Sequence, residues 1–394
     1  MGLPAGGDEP DVKLRYMLLH AYGMGGTIRT VVSQANAMAA LGHDVEIVSV
    51  VRRRTKPQFQ IDPRVRLSSL NDQREEVPSD SIGRRAWRRV RGKIVPPREY
   101  AGRYFTEAVE ASVIKYVTSL DDGVLVTTRP ALNLISARRA TGGVIRVGQE
   151  HMNLPTYPHQ VSSAIVRHYG KLDTIVTLTA SDQAEYQNAL PGAHVVHIPN
   201  AVSAAGREPT RHENPVVVAA GRLVAQKGFD MLIPAFRQVA DANPAWELRV
   251  FGSGPKEERL TGLIKEHGLQ DNVHLMGRTQ NLPEELAGAS IYVLSSRFEG
   301  LPMVMIEAMN HALPVAAFDC PTGPADVLTH ERNGLLVPPG DIDALAKALN
   351  RLIADRDLRI RLGTAAKQRA RDYTPEVVMP QWESLFRELL ERQS

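Results

Sequence analysis

The sequence predicts an α/β protein made of two tandem Rossmann-like, doubly wound parallel sheets, and three observations predict it. The chain has 394 residues, beyond the ~250–300 at which single cores stop growing. Short runs of Val, Ile and Leu alternate with amphipathic helical stretches, the pattern of parallel sheets covered on both faces. The alternation stops at 203–215, which is rich in Ala, Gly, Pro, Arg and Glu and has no apolar period, and then begins again.

In the first half, strands are predicted at 14–20, 45–51, 124–127, 144–147, 174–177 and 195–198, with a helix over 31–41 ended by Gly42. In the second half they fall at 216–220, 248–251, 273–275, 291–294 and 314–317. Phe229, Leu232, Ile233, Phe236, Val239 and Ala240 make one helical stripe, and helices follow over 341–354 and 358–371. Thr374 and Pro375 read as the cap and first position of a last segment, which Pro380 is expected to kink or restart. Its apolar face of Trp382, Leu385, Phe386, Leu389 and Leu390 needs a partner. The expected plan is a disordered 1–11, a first domain at 12–202, a linker at 203–215, a second domain at 216–372 and a terminal helix at 373–394. Ligands of such sheets bind at the carboxyl ends of the strands.

Composition is that of an ordinary soluble globular protein. A single cysteine, Cys320, excludes an internal disulfide, fits a reducing cytoplasmic compartment and reads as a small buried hydrophobe. No apolar run reaches the ~18 residues of a membrane span, and 1–11 lacks the hydrophobic stretch of a signal peptide. The net charge of +3 divides into +6 over residues 1–205 and −3 over 206–394, so an anionic second ligand or surface is expected against the first half. Ile82, Ala86, Val90 and Ile94 recur every fourth residue among Arg84, Arg85, Arg88, Arg89, Arg91, Lys93 and Trp87. This cationic amphipathic helix has three readings: a surface helix on its own domain, a peripheral contact with anionic lipid at the inner membrane face, or a seat for a phosphorylated acceptor. Nucleic acid is not expected as a partner, because the overall charge is low and no basic motif is interleaved with aromatics.

Three motifs carry chemistry. Phe298 to Glu307 sets Glu299 and Glu307 eight positions apart across a turn that becomes a helix, with Gly300 in the turn and Pro302 read as the first helical position. The free N–H groups and dipole of that helix favour an anion, with Glu299 beside it and Glu307 about two turns on. Gly221-Arg222-Leu223 followed by Lys227-Gly228 puts two cations after a strand. Gly23-Met24-Gly25-Gly26-Thr27 joins the first strand to a helix, where Gly25 and Gly26 admit a phosphate; the dinucleotide fingerprint fails because its sixth position is Ile28. No metal-ligand set is read, and neither metal nor another cofactor is expected.

The second of these blocks resembles the G-R-L-x-x-x-K-G motif, and the first the E-x7-E signature, of retaining GT-B glycosyltransferases, family 4. Asp319-Cys320-Pro321-Thr322-Gly323-Pro324 and the run from Asn333 to Asp341 fit as well, so the resemblance is strongest over about 215–350. It implies two sheets facing across a cleft, a last helix that crosses back to the first domain, and transfer of a hexose or N-acetylhexosamine from a nucleoside diphosphate sugar to a hydroxyl acceptor. Arg222 and Lys227 would grip the diphosphate, Glu299 the sugar hydroxyls and Glu307 the ribose. The N–H groups of Met303 and Val304, with Leu301 beside them, would add to the donor site, as would Arg278 and the Gly25–Gly26 loop. His151 would face the transferred sugar, or Glu150 beside it would instead face the acceptor. The variant at 319–324 is similar to transferases of bacterial surface polysaccharide or teichoic-type polymers, which favours a UDP-sugar and an anionic or lipid-linked acceptor. Other expectations from the same fold are a sugar-nucleotide epimerase and a catalytically inactive sugar-nucleotide-binding module.

Overall fold

The computed structural model describes residues 12–74, 92–203 and 209–393. The expectations for 1–11, for 82–91 of the basic helix and for 204–208 of the linker lie outside the described residues. Two compact units emerge. One takes the chain up to Ala201 together with the residues from Val378 onward, and the other is Val202–Val377.

The first unit contains β1 (Lys13–Leu18), β2 (Asp44–Arg52), β3 (Arg66–Asp72), β4 (Val124–Thr128), β5 (Ile145–Gln149), β6 (Thr174–Thr177) and β7 (Val195–His197). They form a seven-stranded sheet in the order β3-β2-β1-β4-β5-β6-β7, with every neighbouring pair parallel. The second unit contains β8 (Val216–Ala220), β9 (Glu247–Phe251), β10 (Val273–Gly277), β11 (Ile291–Leu294), β12 (Val315–Phe318) and β13 (Leu335–Val337). Its six strands run in the order β10-β9-β8-β11-β12-β13, again all parallel. Strand order reverses between β1 and β4 in one sheet and between β8 and β11 in the other, and each reversal opens a crevice at the carboxyl ends.

The central strands are the apolar runs: β4, β8 and β11 are buried along their whole length, as strands covered on both faces must be. Two strands go unpredicted for a physical reason. β3 is a half-exposed edge strand of sequence RLSSLND, and β13 is only three residues long, so neither offers a recognisable apolar run. The first helix is Gly26–Ala40, starting five residues before 31, because Ile28 and Thr30 are also buried. His20, placed in the first strand by the sequence, lies beyond its end at Leu18.

At the end of the expected basic helix the structure differs. Lys93 and Ile94 are not helical. Their N–H groups and that of Val95 converge on the Glu110 carboxylate at 2.8 to 3.2 Å, and a chain wrapped around an anion cannot also continue an α-helix. Residues 209–215 are tied down: Thr210 and His212 are buried, and the Thr210 N–H donates to the His311 carbonyl at 2.8 Å.

The last helix, Pro375–Gln393, runs through Pro380 without a restart, at the cost of the one bond Pro380 cannot give. Trp382, Leu385, Phe386 and Leu389 are buried in one cluster with Leu14, Tyr16, Val31 and Met38, the core under one face of the first sheet. Packing of that size outweighs one missing hydrogen bond. Among the described residues no helix is long and apolar enough to cross a membrane.

Candidate functional site

The crevice of the second sheet is framed by the chain leaving β8 and the chain leaving β11. These two segments are zipped together. The Arg297 N–H donates to the Gln226 carbonyl at 2.8 Å, Gln226 Nε2 donates to the Phe298 carbonyl at 3.1 Å, and Ser295 Oγ donates to the Lys227 carbonyl at 2.9 Å. The Arg297 guanidinium forks onto Asp230 at 2.8 and 2.9 Å, which holds that carboxyl below its ordinary range. Gly228 makes the approach possible. Its φ is 63°, and a Cβ there would sit 1.9 Å from the Ser295 carbonyl oxygen.

This zipper brings two of the candidates into contact. Lys227 Nζ lies 2.6 Å from Glu299 Oε1, and Ser296 Oγ donates to the same oxygen at 2.5 Å. Glu299 is buried and the Lys227 side chain is 19 % exposed, so the pair sits where charge is strongly felt. Lys227 reaches across Gly221, whose missing side chain leaves room for its stem. Arg222, by contrast, is exposed and has no side-chain partner among the described residues.

In front of this pair starts the helix Met303–Asn310. Pro302 is its cap rather than its first residue, because its ψ of 77° is not helical. No acidic residue occupies the first turn, so its positive end is not neutralised from within. The Met303 N–H, one of the two amides expected at an anion, already donates to the Leu301 carbonyl at 2.9 Å. Leu301 and Glu307 are buried, and Glu307 is the fifth helical residue, little more than one turn along rather than two. Arg278 follows β10, is exposed, and is bound through Nε to Ser253 Oγ at 2.6 Å. Cys320 is buried, and burial pushes its thiol up to about 12.

The crevice of the first sheet holds the other candidates. Gly25 caps the helix Gly26–Ala40. Among the described residues nothing demands glycine here: a Cβ on Gly26 would meet no atom within 4 Å, and one on Gly25 would lie 3.8 Å from Ile28 Cδ1. Glu150 and His151 follow β5 directly. Burial pushes the Glu150 carboxyl up to about 7, against the pull of three donors: Tyr169 Oη at 2.5 Å, Tyr157 Oη at 2.7 Å and Asn133 Nδ2 at 2.8 Å. His151 Nε2 is buried without a hydrogen-bond partner among the described residues, and desolvation, helped by the charge of Arg129, lowers this imidazole to about 4. It is therefore neutral at pH 7, with an unused ring nitrogen.

Sequence reasoning missed the triple-donor seat of Glu150 and the residue Arg129. Arg129 follows β4 with φ 80° and ψ 153°, a region nearly reserved for glycine. The only sequence signal was Pro130, which keeps the preceding residue out of the helical region but does not imply positive φ. Two Asp-x-Asp triplets, at 341–343 and 355–357, also stand outside the expectation of no metal set. Both open helices, with Asp341 Oδ1 accepting from Ala344 N at 2.9 Å and Asp355 Oδ1 from Leu358 N at 2.8 Å. Among the described residues no three His, Cys, Asp or Glu side chains gather into a metal site.

Residues 205–369 match the family described as Glycosyl transferases group 1. The chain is 33 % identical over 395 residues to an exopolysaccharide phosphotransferase of Streptomyces coelicolor, covering 97 % of this chain but only 41 % of that relative's length. It is 30 % identical over 250 residues to the amylovoran biosynthesis glycosyltransferase AmsD of Erwinia amylovora, covering 60 % of this chain and 68 % of the relative. Among solved structures it is similar to a variant of S. aureus TarM in complex with fondaparinux, α-GlcNAc-glycerol and UDP, with a TM-score of 0.77 at 16 % identity over 95 % of this chain and 99 % of that one. With its two parallel sheets in the GT-B fold, the chain belongs to the group 1 glycosyltransferases.

Proposed function

We propose that this chain is a retaining, metal-independent glycosyltransferase that moves a hexose or N-acetylhexosamine from a UDP-sugar to a hydroxyl acceptor in surface-glycan synthesis. The observation that carries the reading is the Lys227–Glu299 pair at 2.6 Å, set in a switch-point crevice before a helix with no acid in its first turn. A cation and a carboxylate in contact are what a diphosphate and a sugar hydroxyl would separate and use. Lys227 and the unpaired Arg222 take up the diphosphate charge, the Val304 amide adds a donor, and Glu299 and Glu307 accept from the sugar and ribose hydroxyls. His151, neutral, offers Nε2 to a ligand hydroxyl, and the open Gly25–Gly26 turn lets a ligand approach the backbone.

In the proposed step the acceptor oxygen bonds to the anomeric carbon on the face from which the diphosphate departs. The bond from that carbon to the phosphate oxygen breaks, and the leaving diphosphate takes the acceptor proton. The protein positions the partners and stabilises the developing charge. A neighbour solved with UDP and α-GlcNAc-glycerol, and relatives named for exopolysaccharide and amylovoran, support donor and setting. The test is a thermal-shift series with UDP, GDP, ADP and their sugars, with and without a chelator. UDP is expected to raise the melting temperature by a few degrees in the chelator, and Lys227→Ala to abolish the shift. A folded sample that no nucleoside diphosphate stabilises ends the reading.

A further inference from the structure

The crevice of the first sheet gathers cations. The Arg129 side chain, 28 % exposed, is held only through Nε, 3.0 Å from Oε1 of the fully buried Glu99 side chain. Glu99 is itself fixed, with Oε2 accepting from the Ala101 N–H at 2.6 Å. Neither terminal nitrogen of Arg129 has a partner among the described residues. A non-glycine residue at φ 80°, ψ 153° is strained and persists only where its surroundings insist on it. The strain therefore buys a fixed direction for a guanidinium whose fork is open. Around it, His20 feels the charges of Arg129, Arg53 and Arg54 together, all three of which lower its imidazole beyond the effect of burial. Arg53 lies over the Tyr104 ring at 4.6 Å, and Arg103 over the same ring at 4.8 Å. Cations that act together on one imidazole repel one another, and an anion among them relieves that repulsion.

We infer that Arg129, flanked by Arg53 and Arg54, binds a phosphoryl group of the acceptor, so that the acceptor is a phosphate-bearing hydroxyl compound. Naming the ligand an acceptor rests on the transferase reading, but the anion site itself does not. A planar fork with two free nitrogens matches two phosphate oxygens. The phosphoryl group has two natural sources, a soluble polyol or sugar phosphate and a lipid headgroup, and the test separates them.

The experiment is calorimetric titration of the full chain with glycerol 3-phosphate, with glycerol as the neutral control, and flotation with phosphatidylglycerol or phosphatidylcholine vesicles. UDP is titrated in parallel. Arg129→Ala is expected to weaken glycerol 3-phosphate or phosphatidylglycerol binding roughly ten- to hundredfold and to leave UDP affinity unchanged. Arg129→Lys should recover part of the loss. Because Arg129→Ala strands a buried carboxylate, the double variant Glu99→Gln/Arg129→Gln gives the same readout without an unpaired charge. Binding of the soluble probe alone names a soluble source, and binding of anionic vesicles alone a lipid one. Failure of both probes to bind, binding unaltered by either variant, or displacement of glycerol 3-phosphate by UDP would overturn the site. Failure of UDP alone would overturn the donor reading and leave this one standing.

Discussion

The two switch points are built on the same strand order and differ in how their loops are held. At the second sheet, backbone meets backbone: Gly228 lies against the Ser295 carbonyl, and a Cβ on Gly252 would come within 1.8 Å of the Gly221 carbonyl oxygen. Two of the candidate side chains, Lys227 and Glu299, are already in contact there. At the first sheet, the Gly25–Gly26 turn has empty space beside it, His151 Nε2 has no partner among the described residues, and the held side chains are the Glu150 carboxyl and one strained arginine. One crevice has its central ion pair formed before any ligand arrives, with Arg222 left to meet one, and the other leaves room beside its turn. A rigid site suits a ligand part that never changes, and an open one suits a part that does.

The strongest way to break this contrast is Lys227→Ala. It should reduce donor turnover, measured as UDP release, roughly 10²–10³-fold, because a preorganised charge donor is lost. It should also lower the stability of the second unit, since the buried Glu299 loses the cation in contact with it. Turnover within threefold of wild type would mean the pair is structural. Next is Gly228→Ala, where positive φ and a 1.9 Å approach to a backbone oxygen leave no room to relax. A loss of roughly 3 kcal/mol in denaturant unfolding is expected. An unchanged midpoint would show that the two loops separate freely.

The first crevice makes a subtler prediction about pH. The Glu150 carboxyl is raised from 4.5 to about 7, so the folded state binds its proton more tightly than the unfolded chain. Its contribution is complete below pH ~4.5 and is lost as pH rises to about 7. His151, lowered from 6.5 to about 4, works in reverse: its contribution is complete above pH ~6.5 and is lost as pH falls to about 4. Between these limits the neighbours offset each other. Glu150→Gln should uncover the histidine slope, so that unfolding free energy falls more steeply than in wild type between pH 6.5 and 4.5. Parallel wild-type and variant profiles would contradict the buried-carboxyl account. The smallest effect is expected for Gly26→Ala. Stability should hold or rise by up to ~1 kcal/mol, as alanine is the better helix former, while turnover drops if a ligand approaches this backbone. Turnover that also holds would make the glycine incidental.

Much of the second crevice could be read from the chain because local spacing specifies it. Gly221, Arg222, Lys227 and Gly228 lie within eight residues, and Glu299 and Glu307 within nine. What brings Lys227 to Glu299, however, is a contact between positions 72 apart, supplied by the sheet. The first crevice was less legible for the same reason. Glu150 collects donors from three elements, and Arg129 is paired with a residue thirty positions earlier. Gly25, Gly26 and His151 announced themselves as a turn and a strand end, but the empty space beside the glycines is a property of the fold. Likewise β3 carries no hydrophobic signal because an edge strand need not be buried on both sides.

The return of the last helix to the first unit has a practical side. A gene fragment ending near Ala201 would encode every strand of the first sheet and yet lack Trp382, Leu385, Phe386 and Leu389. Its product would expose the face those side chains cover, and aggregation rather than a clean half-protein is the expected yield. To obtain that unit alone, the segment from Val378 must be supplied as a separate peptide or spliced in front of β1. The two compact units of this molecule therefore cannot be released by a single cut in the message.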